Sequence, residues 1–271
     1  MSAIIQLQSK LFIKKFQRTL EKFVKKLGDY IEDPNEENIH DIRISIRRLE
    51  SATRILPKNV RKKQEIQDYV EATKLLFKIN TQIRDIDIIS KKFEKQGSSK
   101  YQELVNDLKN KRENGLKHAH TLSIKLKNAP LPKIKKKEII DSKLNKRFQK
   151  IITELIIGIQ KNIPVVINDD KKIEELHKLR KDFKKLRYSI ELTSDKNTTS
   201  SSIKALKKIQ DSLGEIHDCD IMLDYLREVK GPNELSEVIR NEILERRENY
   251  QQFVQSFHDE KFNPENLLLQ F

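Results

Sequence analysis

Residues 40–49 read HDIRISIRRL and residues 177–186 read HKLRKDFKKL. At about 100° per residue on a helical wheel with His40 at the origin, Arg43, Arg47 and Arg54 fall near 300°, 340° and 320°, a stripe about 60° wide. Ile39, Ile42, Ile46 and Leu49 fall between about 180° and 260°, which marks the core-facing side. The second stretch repeats the pattern. His177, Arg180, Lys184 and Arg187 line one edge, with Leu176, Leu179, Phe183 and Leu186 on the matching apolar face. Lys181 and Tyr188 widen the second stripe, and Tyr188 adds a hydroxyl able to donate to an anionic oxygen.

Like charges stacked at i, i+3 and i+7 cost an isolated helix a few tenths of a kcal/mol per close pair, roughly. Glu191 is the acid expected on the stripes, so an external or tertiary anion is predicted to offset the repulsion. Arginine forks match phosphate oxygens bidentately, lysine supplies a mobile point charge, and histidine becomes a stronger donor as an anion approaches.

Working outward, four landmarks recur in the same order at an offset of roughly 135 residues. Residues 14–18 (KKFQR) match 146–150 (KRFQK), and His40 to Leu49 matches His177 to Leu186. Residues 83–87 (IRDID) match 216–220 (IHDCD), and 111–114 (KREN) match 246–249 (RREN). Turn signals at Gly28 with Asp33-Pro34, Pro57, Gly97-Ser98-Ser99, Pro130 with Pro132, Pro164, Asn197 to Ser202 and Gly231-Pro232 separate segments of helical periodicity. Eight helices are predicted, over 3–31, 36–56, 61–95, 99–128, 139–162, 170–193, 202–229 and 233–260. The fold class is all-α, two antiparallel four-helix bundles related by an internal pseudo-two-fold repeat. The first repeat is placed at 1–130 and the second at 138–262, with a basic linker between.

Composition agrees. Only 6 Gly and 7 Pro interrupt 271 residues, and 35% are charged. Fifty-five Lys plus Arg against 41 Asp plus Glu leave a net charge of +14 and a pI near 9.6. Such a chain seeks anionic partners. The lone Cys219 excludes an intrachain disulfide, and no apolar run reads as a membrane span or signal peptide, so a cytoplasmic protein without a membrane partner is expected.

The two His-headed helices and the segments IRDID and LGEIHDCD resemble the CHAD domain (conserved histidine α-helical domain) family over essentially the whole chain. That resemblance implies two four-helix bundles with a basic channel between them that binds inorganic polyphosphate. The positions it carries over are His40, Arg43, Arg47 and Arg48, then His177, Arg180, Lys181, Lys184, Lys185, Arg187 and Tyr188. Arg54 on the first stripe and Arg84 in IRDID complete the set of expected contacts. Thr81 stands where the pattern has the glycine found at Gly214, and His217 stands where it has the arginine found at Arg84. The Glu-x-Glu-x-Lys mark of a CYTH domain does not occur in these residues.

Asp85, Asp87, Asp218 and Asp220 could ligate a metal, but are read as acids that orient basic side chains. The adjacent pairs His40-Asp41 and His217-Asp218 point about 100° apart on a helix and do not converge on one ion. His118, His120 and His258 are expected at the surface, and Lys133 with Lys135 to Lys137 in a solvated linker. No metal, cofactor or catalytic residue is expected. The predicted function is non-enzymatic polyphosphate binding, with a nucleic-acid binder as the first alternative and a metal-dependent phosphohydrolase as the second.

Overall fold

The computed structural model describes residues 6–192, 200–229 and 232–259. The turns expected at 197–199 and Gly231, and the helix ends expected at residues 3, 193 and 260, lie outside them. The described residues are all-helical, with no strand. The main helices are α1 (Ser9–Glu32), α2 (Glu36–Ile55), α3 (Lys58–Arg61), α4 (Gln64–Lys95), α5 (Gln102–Asn128), α6 (Asp141–Asn168), α7 (Ile173–Glu191), α8 (Ser200–Glu228) and α9 (Pro232–Asp259). Packing divides the chain into two compact units, one of residues 7–147 and the other holding the described residues from Phe148 onward.

In the first unit α1 packs on α2, and α4 packs on both α2 and α5. Its core holds Phe12, Phe16, Phe23, Leu27, Ile39, Ile42, Ile46, Leu76, Ile83 and Phe93, each 2% exposed or less. Burying one such side chain is worth about 1.5–3 kcal/mol. Two polar ties hold the start of α6 against the chain entering α1. Asp141 accepts from the Ser9 backbone N–H at 2.8 Å, and Asn145 exchanges bonds with the Leu7 N–H and carbonyl at 2.6 and 3.0 Å. The unit therefore ends inside α6, beyond the basic linker. The linker itself is pinned, since Lys63 donates to Glu138 at 2.7 Å and holds that carboxyl below its ordinary range.

One local feature differs from the expectation, while the turn expected at Gly97 is present. Pro57 caps a separate four-residue turn, α3, whose Val60 is fully buried. Gly97, at φ 90, turns the chain between α4 and the Ser98–Tyr101 3-10 turn, a conformation that side-chain-bearing residues rarely adopt. The close approach of α4 to α5 falls at Gly115, where an added Cβ would meet Ile83 at 3.0 Å; Gly214 has open space around it. Thr81 accordingly costs no packing, and its hydroxyl donates back to the Phe77 carbonyl at 2.9 Å.

In the second unit α8 packs on α7 and α9 around Leu179, Phe183, Leu186, Ile209, Ile216, Met222, Val238 and Phe253. The sequence ended the preceding helix at 162, before Pro164, but α6 runs through that proline to Asn168. Proline removes one helical donor, and tertiary contacts hold the last turn. Val166 is fully buried, and the Tyr250 hydroxyl lies 2.8 and 2.7 Å from the carbonyls of Val166 and Ile167. The Asn168 side-chain amide also donates to the Pro164 carbonyl at 2.8 Å. Extended in this way, α6 is long and apolar enough to cross a membrane by length and composition alone, and 44% of its most apolar stretch is buried inside the protein.

Candidate functional site

The first stripe lies on α2. Asn35 caps this helix by accepting from the Asn38 N–H at 2.9 Å, and Glu36 and Glu37 complement the positive end of its dipole. With Ile39, Ile42, Ile46 and Leu49 buried, His40 and Arg48 are exposed, and Arg43, Arg47 and Arg54 are half-buried. Phe77 on α4 lies beneath two of them. The Arg43 guanidinium is 5.0 Å and the Arg47 guanidinium 3.9 Å from its ring centroid. A guanidinium on a ring face gains cation–π attraction and keeps its in-plane N–H groups for oxygens.

Glu50 corrects the acid-free reading of this stripe. It accepts from Arg47 at 3.1 Å and pairs with Arg54 at 3.6 Å. The ring and this carboxylate offset part of the repulsion internally. Arg84, on α4, is half-buried and lies close enough to lower the proton affinity of Asp87.

The second stripe lies on α7. Arg180 and Lys184 are half-buried, and Lys181 is exposed. Arg187 stacks on Tyr188 with 4.8 Å to the centroid, donates to its hydroxyl at 3.2 Å and pairs with Glu191 at 3.8 Å. Tyr188 is 4% exposed, so it is buried and supports Arg187 from beneath. Lys185 turns away from the stripe toward the buried Asp182, to which it donates at 3.0 Å.

Behind each stripe sits a buried carboxylate held by an arginine, Arg112 of α5 in the first unit and Arg246 of α9 in the second. Arg112 donates through Nε to Asp87 Oδ1 at 2.6 Å, and Arg246 donates through Nε to Asp220 Oδ1 at 2.6 Å. The KREN and RREN motifs align Lys111 with Arg246; the contacts instead match Arg112 with Arg246. Burial raises the Asp87 carboxyl's pKa despite Arg112. Burial also pushes Asp220 upward, but bonds from His177 and Arg246 outweigh it, and Asp220 is held below its ordinary range. Arg246 further donates to the Asp170 carbonyl at 2.9 Å. That use of Asp170 helps explain why α7 starts at Ile173 and not at residue 170.

His177 heads the second stripe and closes this network. Its Nε2 lies 2.9 Å from Asp220 Oδ2 and 2.9 Å from His217 Nδ1, and the two rings stand edge to face. Burial, with the nearby charges of Arg180 and His177, depresses His217 to about 2 and keeps it neutral. The sequence weighed the four aspartates and the adjacent His-Asp pairs, not a group joining residues 177, 217 and 220. Here the converging groups come from residues 177, 217 and 220, and their ligand atoms all lie within 4.8 Å of one another. His118, His120 and His258 are exposed.

Two helical units, each with a His-headed basic stripe backed by a buried Asp–Arg pair, define the class to which the chain belongs. The sequence matches the CHAD domain over residues 14–227, and the chain is a member of the CHAD domain family. Among solved structures it is similar to the CHAD domain of the plant Ricinus communis, with a TM-score of 0.62 and 17% identity over 93% of this chain and 89% of that one. No curated protein matches the chain.

Proposed function

We propose that this protein binds inorganic polyphosphate without converting it, each unit presenting its stripe to phosphate oxygens. The observation that carries this reading is the support given to the basic groups. Arg43 and Arg47 are held on the Phe77 face, and Arg187 on Tyr188, so their donors are partly ordered before an anion arrives. Membership of the CHAD family, a family linked to polyphosphate, supports the same choice among anions. We also read the two units as copies of one four-helix pattern, because the Asp87–Arg112 and Asp220–Arg246 pairs recur with the same atoms. The Phe77 face, occupied by two guanidiniums, is not offered to a base, which speaks for a phosphate polymer over a single-stranded nucleic acid.

The test is competition of labelled polyphosphate against RNA and duplex DNA at physiological salt. Polyphosphate should displace the label at the lowest concentration, and affinity should fall steeply with salt as condensed counterions are released. Preferential displacement by nucleic acid, or binding indifferent to salt, overturns the proposal. Incubation with polyphosphate, triphosphate or nucleotides, with and without magnesium or manganese, should release no orthophosphate above a denatured control.

A further inference from the structure

We infer that His177 Nε2, His217 Nδ1 and Asp220 Oδ2 form a binding site for one divalent transition-metal ion of the zinc class, present in the second unit and absent from the first. His177 Nε2 stands 2.9 Å from both Asp220 Oδ2 and His217 Nδ1. One ring nitrogen either donates its single proton or accepts with its single lone pair. If it donates to Asp220, a lone pair or a competing N–H of His217 faces a nitrogen that has nothing left to give. If it accepts from His217, the carboxylate faces a lone pair across 2.9 Å. No tautomer gives both contacts a full hydrogen bond, whereas a dication satisfies all three lone pairs at once.

The donor set suits the ion. Two imidazole nitrogens and one carboxylate oxygen favour zinc and its first-row neighbours over magnesium or calcium. Metal–ligand bonds of about 2.0–2.2 Å at tetrahedral angles separate ligand atoms by about 3.3 Å. The two gaps from His177 Nε2 need to open by about 0.4 Å, and His217 Nδ1 and Asp220 Oδ2, within 4.8 Å of each other, need to settle at the same spacing. Arg246, clasping the other oxygen of Asp220 at 2.6 Å, leaves Oδ2 directed at the histidines, the orienting role that outer-shell groups play around metals. His177, 23% exposed, gives the ion a way in. Arg180 and Lys184 repel a dication, and Asp220 together with an anionic oxygen in the remaining coordination position offsets them.

The first unit supplies the internal contrast. Arg84 stands where His217 does, and Asp87 is held by Arg112, so that cluster has a fixed cation in place of a second ligand. The inference does not rest on polyphosphate binding, because the metal is tested alone.

Chain stripped of metal by chelation is titrated with zinc by calorimetry and with cobalt(II) by visible absorption. One ion per chain is expected, with cobalt ligand-field bands of a nitrogen and oxygen site. Zinc should shift the ring nitrogen resonances of two of the six histidines. His217→Arg, which imitates the first unit, and His217→Gln, the control should the arginine disturb folding, should each weaken binding by about 100-fold or more. Cys219→Ser should bind as wild type does, since the sulfur is outside the trio. Lack of saturable binding by wild type, undiminished binding by the His217 variants, or loss of binding in Cys219→Ser would overturn the inference.

Discussion

Arg246 donates through Nε to the Asp220 carboxylate at 2.6 Å, with both side chains at or below 10% exposure. Asp220 in turn faces His177, so the pair links the last helix of the unit to the head of the basic stripe. Breaking a buried ion pair from one side strands the remaining charge in low dielectric, at a cost of about 3–5 kcal/mol. Arg246→Met should therefore lower urea stability by that order, while Arg246→Met combined with Asp220→Leu should recover a large part of it. In the first unit Arg112 is 28% exposed, so Arg112→Met should cost less. A double variant no more stable than Arg246→Met would show that the pair's charge balance is not what the fold relies on.

Phe77 gives a second expectation. Its ring holds Arg43 and Arg47 at 5.0 and 3.9 Å, and exposed to partly desolvated cation–π contacts are worth about 0.5–2 kcal/mol. Phe77→Leu keeps apolar volume and removes the quadrupole. Polyphosphate affinity should fall several-fold, with the salt slope nearly unchanged because the charges remain. Equal affinity in wild type and Phe77→Leu would deny the ring any part in ordering the stripe.

The parts of this site visible in the sequence are those set by a helix's own period. Ile39, Ile42, Ile46 and Leu49 had to face inward, and that fixes the side of α2 on which His40, Arg43 and Arg47 lie. What escaped notice depends on neighbouring helices. Phe77 reads as an ordinary core residue until α4 is laid against α2. Asp87 and Asp220 were visible as landmarks, but the register of their arginines was not, since KREN and RREN align one residue away from the contacting pair. Helix α6 passes Pro164 because Tyr250, more than eighty residues later, covers its final carbonyls. A local rule about proline cannot anticipate that distant hydroxyl.

His217 makes stability depend on pH in a definite direction. Its folded pKa is depressed from 6.5 to about 2, chiefly by burial. Below pH 6.5 the unfolded chain takes up a proton that the folded chain refuses, so stability is full above that value and declines as pH falls, by about 1.4 kcal/mol per unit at most. Asp220, held below its ordinary range, adds a loss in the same direction at lower pH. For metal-free protein, urea midpoints between pH 8 and 4 should fall in wild type and fall less in His217→Gln. Parallel profiles for the two proteins would show that His217 is protonated in the folded state.

The final expectation separates one anion serving both stripes from two anions serving one each. Arg43→Ala with Arg47→Ala removes two cations from α2 and leaves Glu50 paired with Arg54. Arg180→Ala with Lys184→Ala removes two from α7. Charge-assisted contacts are worth roughly 1.5–3 kcal/mol each, so each double variant should lose several kcal/mol of polyphosphate binding if its stripe meets the anion. Its salt slope should shrink as fewer counterions are released. All four positions border the core without filling it, so far-ultraviolet circular dichroism should be unchanged. Calorimetry with a short polyphosphate then decides the stoichiometry. A channel of the kind the family resemblance implies takes one short chain, and either double variant weakens that single event, because each stripe raises the effective concentration seen by the other. Two chains bound by wild type, with one retained at full affinity in each double variant, would make the stripes independent surfaces.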